Sequence, residues 1–243
     1  MRGVKTLRVD AKKLSSKFEN VPLVIHKTRF KDITMNVHFV RSPRRVTTAA
    51  LLMGAFLALT SATAPARGGM IISEFMYSGN GGEFVEFTNV GNVAIDMTGW
   101  SFDDDSRIPG VLDLSAFGIV APGESVLITE DPAEVFRTDW GLSASVKIIG
   151  GYTNNLGRND EINLYDADNN LVDRLAYGDT AFPGTIRTQR ISGNPGSLDA
   201  EGTNTVSLWV LSEQGDRQNS VLSGKDDLGN PGSYVPFSRP TAI

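Results

Sequence analysis

Residues 82–105 read GEFVEFTNVGNVAIDMTGWSFDDD, and this stretch decides the fold. From Glu83 to Asn89, aromatic and β-branched residues crowd together as they do in buried strands. Gly91-Asn92 follows as a turn, Val93 to Ile95 as a second short strand, and Gly99-Trp100 opens a third that runs into the acidic loop Asp103, Asp104, Asp105. Working outward, the same alternation of β-formers with Gly, Asn, Asp and Pro predicts strands at residues 70–77, 83–89, 93–95, 100–103, 125–129, 146–149, 161–166, 171–177 and 206–211. Many short strands with little helix read as an all-β sandwich or barrel.

The connections have their own chemistry. Asp166-Ala167-Asp168-Asn169-Asn170 supplies residues that tolerate turn geometry, so its flanking strands form a hairpin. Ala121-Pro122-Gly123-Glu124 places Pro and Gly for a tight turn. One short helix is expected, with Asp131 as cap, Pro132 at the first helical position, Glu134 three residues after the cap and Gly141 ending it. Gly-Asn-Pro-Gly-Ser occurs at 193–197 and again at 229–233, but the flanks do not match, so both read as Pro-Gly turns and not as a duplicated unit.

Charge divides the chain. Residues 1–66 hold 12 of the 23 Lys and Arg but 3 of the 28 Asp and Glu, a net of +9, leaving residues 67–243 with 11 and 25, a net of −14. Near the boundary Arg41, Arg44 and Arg45 precede the apolar run AALLMGAFLAL at 49–59, and Ala64-Pro65-Ala66 follows. That order is the order of a secretory signal cleaved after Ala66. The run is shorter than the roughly 20 apolar residues that cross a bilayer, which argues against a retained anchor and leaves no membrane span after cleavage. Met35 offers an alternative start that gives 35–66 ordinary signal length and leaves the basic leader 1–34 untranslated. The domain is expected over 67–236, with a short tail at 237–243. With no cysteine in the chain, disulfides and a cysteine lipid anchor are excluded, and the core alone must hold the exported domain together.

Several pieces, in order, resemble the lamin tail domain family. They are Glu83-Phe84-Val85-Glu86-Phe87-Thr88-Asn89, Gly91, Gly99-Trp100, Pro122-Gly123, residues 159–166 (NDEINLYD), Leu171-Val172-Asp173 and the closing Pro231-Gly232. The chain is most similar to the exported bacterial members, having a signal-like start and no coiled-coil heptads before the domain. The resemblance implies an immunoglobulin-like β-sandwich that acts as an adhesive or scaffold-type module, and it brings no catalytic residues. Fold alone does not settle function.

Both histidines, His26 and His38, precede Ala66, so residues 67–243 have neither His nor Cys. Ser-His-Asp, Cys-His and thiolate chemistry and the usual zinc ligands are absent from that span. Paired carboxylates or a hard cation remain. Glu83 and Glu86, three apart in one strand, point to opposite faces and cannot act as a pair. Glu86 shares its face with Phe84 and Thr88, and is expected to accept hydrogen bonds from a neighbouring loop. Asn89 reads as a turn residue. Asp103, Asp104 and Asp105, or the Asp166, Asp168, Asn170 spacing, are weak calcium candidates. In the second, Leu171 stands where the loop needs Gly and Tyr177 where it needs Glu. Trp100 and Trp209 read as core, and Trp140 as the best candidate for exposure. A net of −14 with scattered basic residues disfavours nucleic acid. The expectation is a non-catalytic module for a protein or extracellular polymer, with no cofactor. The alternatives are a calcium-assisted carbohydrate-binding module and a carboxylate-based hydrolase.

Overall fold

The computed structural model describes residues 69–178 and 184–237. The signal, leader and alternative-start readings, and most of the C-terminal tail, fall outside those residues. Strands β1 (Met70–Met76), β2 (Phe84–Asn89), β7 (Ser125–Thr129), β8 (Lys147–Gly150), β11 (Gly193–Pro195) and β12 (Trp209–Leu211) form one sheet in the order β12-β11-β1-β2-β7-β8. Strands β4 (Ser101–Asp103), β5 (Leu112–Asp113), β9 (Asn159–Tyr165) and β10 (Leu171–Gly178) form a second in the order β10-β9-β4-β5. Two small ribbons, β3 (Ile95–Asp96) with β6 (Ile119–Val120) and β13 (Val221–Leu222) with β14 (Leu228–Gly229), complete the strands of the described residues. Among the described residues this is the mostly-β, immunoglobulin-like architecture with one short helix.

Alternation along the strands builds the layer between the sheets. Val85, Phe87, Val126 and Ile128 from the first sheet meet Phe102, Ile162, Leu164, Leu175 and Tyr177 from the second. Phe75 lies 4.6 Å from Tyr177 and 5.5 Å from Trp209 between ring centroids. β1 departs from this alternation at a bulge. Its register against β2 shifts between Ile72 and Glu74, so Ile72 and Phe75, three apart, both face inward. The Ile72 N–H is then taken by Asp173 Oδ2 of the other sheet at 2.8 Å.

Helix α1 (Ala133–Trp140) lies on the other side of the first sheet, where Phe136 and Trp140, i and i+4, pack on Met76, Phe84 and Leu127. Burying these two rings contributes roughly 2–3 kcal/mol each. The expected cap is corrected: Pro132 is the N-cap without a side-chain bond, and the Asp131 carboxylate instead pairs with Lys225 at 2.9 Å. Gly141 ends the helix as expected, its N–H donating to the Arg137 and Thr138 carbonyls.

Two further corrections concern the second half. Val206–Leu208 is a 3-10 turn, so the strand expected at 206–211 is confined to Trp209–Leu211. Gly193–Pro195 is strand β11 and not a turn, because Asn194 and Pro195 pair with Val210 and Trp209. The 146–149 strand is found as β8, and it runs parallel to β7. The Asp166–Asn170 hairpin and the Ala121–Glu124 turn, closed by Glu124 N–H to Ala121 O at 3.0 Å, are as read.

Candidate functional site

Glu83 lies just ahead of β2, and both its oxygens accept from the Leu156 N–H, at 2.8 and 2.9 Å. Burial pushes its carboxyl up to about 7. Glu86 lies on the opposite face with Phe84 and Thr88 and is fully buried. Its Oε1 accepts from Ser73 Oγ at 2.8 Å, and its Oε2 from the Gly232 N–H at 2.6 Å. The neighbouring loop expected to hold Glu86 is therefore the closing Pro231-Gly232, almost 150 residues away in sequence. Burial drives the Glu86 carboxyl up to about 7 against these bonds.

Sequence reasoning missed the partner of Glu86. Glu74, turned outward by the bulge, stands directly opposite Glu86 in the β1–β2 register and is also fully buried. Its Oε1 accepts from Ser192 Oγ, and from the Asn230 N–H at 2.8 Å. Its Oε2 has no hydrogen-bond partner among the described residues. Burial first, and the Glu86 charge second, hold its carboxyl well above the usual range. The two Gly-Asn-Pro-Gly-Ser copies meet here. Asn194 of the first donates to Ser73 O at 3.0 Å and accepts from Ser212 Oγ at 3.1 Å, while Asn230 and Gly232 of the second bond the two acids. Two acids in otherwise apolar strands were the available signal, but only the bulge puts them side by side.

The remaining sequence candidates are spread over both ends of the sandwich. Asn89, buried at the end of β2, bonds Val93 O, Val120 O and the Gly91 N–H, closing the turn it was read to make. Gly99 has a positive φ of 77°, and a Cβ there would stand 3.2 Å from Ala167, so glycine fits both the turn and the space. Trp100 is partly buried against the core and Trp209 is within it. Trp140 is a correction: it is buried, only 8% exposed, because α1 turns it onto Phe84 and Phe136.

Asp103 is buried and accepts from the Ile108 N–H at 2.6 Å and Ser106 Oγ at 2.8 Å, which folds the acidic loop back on its strand. Asp104 is partly exposed and Asp105 exposed. In the hairpin, Asp166 Oδ1 accepts from the Asp168 and Asn170 N–H groups at 2.9 and 2.8 Å, which holds that carboxyl below its ordinary range. Among the described residues, no group of three or more His, Cys, Asp and Glu is placed to hold a metal ion. Arg107 clasps Glu161 through two nitrogens at 2.7 and 2.5 Å and depresses its carboxyl. A shallow depression beside α1 is lined by Glu134, Val135, Thr138, Asp139 and Lys225, and it is open to solvent. Among the described residues no helix is long and apolar enough to cross a membrane.

The family described as Lamin Tail Domain matches residues 63–179. The match takes in both sheets up to β10, together with Glu83, Glu86, Asn89, Gly99 and Trp100. It stops before β11, β12 and Pro231-Gly232. No curated protein matches the chain at a significant level.

Proposed function

We propose, from the premise that residues 63–179 form a lamin tail domain, that this protein is an exported, non-catalytic interaction or scaffold module. Its partner is a protein or an extracellular polymer at the cell envelope or outside the cell. The family supports an immunoglobulin-like interaction module. The observation that carries the non-catalytic reading is how the buried acids are used. Glu74, Glu83, Glu86, Asp103, Asp173 and Asp227 each accept a backbone N–H, from Asn230, Leu156, Gly232, Ile108, Ile72 and Gly81 in turn. A general acid or base must reach a substrate proton. These groups instead fasten loops and strands, and residues 67–243 offer no imidazole or thiol in their place.

The test is retention on the immobilised protein of envelope and medium fractions from its own source, run beside turnover assays on a polysaccharide library. Saturable retention of one partner without turnover is expected. Turnover that disappears on replacing a particular acid pair overturns the proposal. Thermal unfolding with calcium and with chelator tests the carbohydrate-binding alternative, and equal midpoints are expected.

A further inference from the structure

Within the first sheet, the outward pair Glu74 and Glu86 occupies opposite positions on neighbouring strands and has no exposed surface. The groups around it are hydroxyls, amides and more acid. Ser73 and Thr88 bond Glu86, Ser125 lies beside Thr88 at 2.7 Å, and Ser192 bonds Glu74. The charged and titratable neighbours are Asp216, in the 213–220 turn, which acts on Glu74, and Tyr234, which feels Glu86 and bonds Glu201 at 2.9 Å with Arg217 behind it. α1 contributes Trp140 and no charge at this point. Among the described residues neither carboxyl forms an ion pair. Two carboxylates cannot both ionise side by side in such a site without strong repulsion.

Each acid also holds one amide of the same turn: Asn230 on Glu74 and Gly232 on Glu86, with proline between them. The approach is close. A Cβ on Gly229 would fall 2.8 Å from Glu74 Oε1 and Ser192 Oγ and 3.2 Å from the Trp140 ring. One on Gly232 would fall 3.3 Å from Val146.

We propose that Glu74 and Glu86 form a protonation-gated latch, which holds the Gly229–Ser233 turn over the outer face of the first sheet while the pair retains a proton and frees that turn, uncovering the Trp140 and Val146 side chains, when both carboxyls ionise. The Oε2 of Glu74, which has no hydrogen-bond partner among the described residues, is the atom that carries the retained proton. Burial raises both carboxyls, so the latch is closed in acid and opens as pH rises.

The test is amide exchange by NMR on the full chain at about pH 5 and about pH 9, corrected for the intrinsic rate. Asn230 and Gly232 report the turn, and Val85 and Phe87 report the β2 interior. Protection of the turn is expected to fall by at least about tenfold while the interior stays protected, a factor of ten being the effect of one unit of proton affinity. Glu74→Gln, which supplies the same acceptor without a charge, is expected to keep the turn protected at both pH values. Glu86→Gln is the second variant and should do the same. Unchanged protection of the turn in the wild type, equal loss at β2, or an unaltered pH response in both variants overturns the latch.

Discussion

The two faces of the first sheet are built on different principles. Its inner face meets the second sheet through side chains that need only be apolar and of fitting size, such as Phe75, Val85, Phe87 and Ile128. Its outer face joins an apolar half under α1 to a polar half, where Glu74, Glu86, Ser73, Thr88, Ser192 and Asn194 are all buried. The inner layer is held by area removed from water, which tolerates small shifts. The outer layer is held by directional bonds that fail outright if one partner is lost. The first kind of layer makes the fold; the second fastens the Gly229–Ser233 turn, which lies beyond the family match, to strands β1 and β2 within it.

Breaking the inner layer should have the largest effect. Phe75→Ala removes a ring with no exposure that packs on Tyr177 and Trp209, and is expected to cost about 3–5 kcal/mol in chemical unfolding. A loss below about 1 kcal/mol would mean that this layer repacks more freely than its geometry allows. The outer layer is probed next by Gly229→Ala, whose new methyl has no room between Glu74, Ser192 and Trp140. The expected cost is about 1–3 kcal/mol, and an unchanged midpoint would show that the turn sits away from the sheet. The smallest effect belongs to neither face. Lys147→Ala breaks a 2.9 Å pair with Glu124 in which both side chains are part exposed, and the change should stay below about 1 kcal/mol.

Legibility in the sequence follows the same division. Strands of the inner layer announce themselves through alternation, and β2, β7, β9 and β10 lie within a residue or two of where 83–89, 125–129, 161–166 and 171–177 were expected. Strands β5, β6, β13 and β14 are two residues long, too short for any pattern to register. β11 was hidden because Gly193-Asn194-Pro195 has turn chemistry, and only pairing with β1 and β12 makes it a strand. Within the site, Glu86 was legible as a buried acid needing a loop, since an acid inside FVEF has nowhere else to go. Glu74 was not, because its facing depends on a bulge that breaks the two-residue period at Ser73. Trp140 was misplaced because nothing local says which way a short helix turns its i, i+4 pair.

The claim on which the account depends is that the outer layer is fastened by carboxyls that keep a proton. Glu86 is raised from 4.5 to about 7, and burial and the Glu86 charge hold Glu74 well above its ordinary value. The stability this protonated pair contributes is fully present below about pH 4.5 and is lost as pH rises through about 7 and beyond. The direct measurement is the unfolding free energy of the wild type and of Glu74→Gln at about pH 5 and about pH 8. The account predicts values within about 1 kcal/mol of each other in acid, where both positions are neutral hydrogen-bonding groups, and a variant more stable than the wild type at the higher pH. A wild type equally stable at both values, or a variant weakened by the same amount at both, would contradict it.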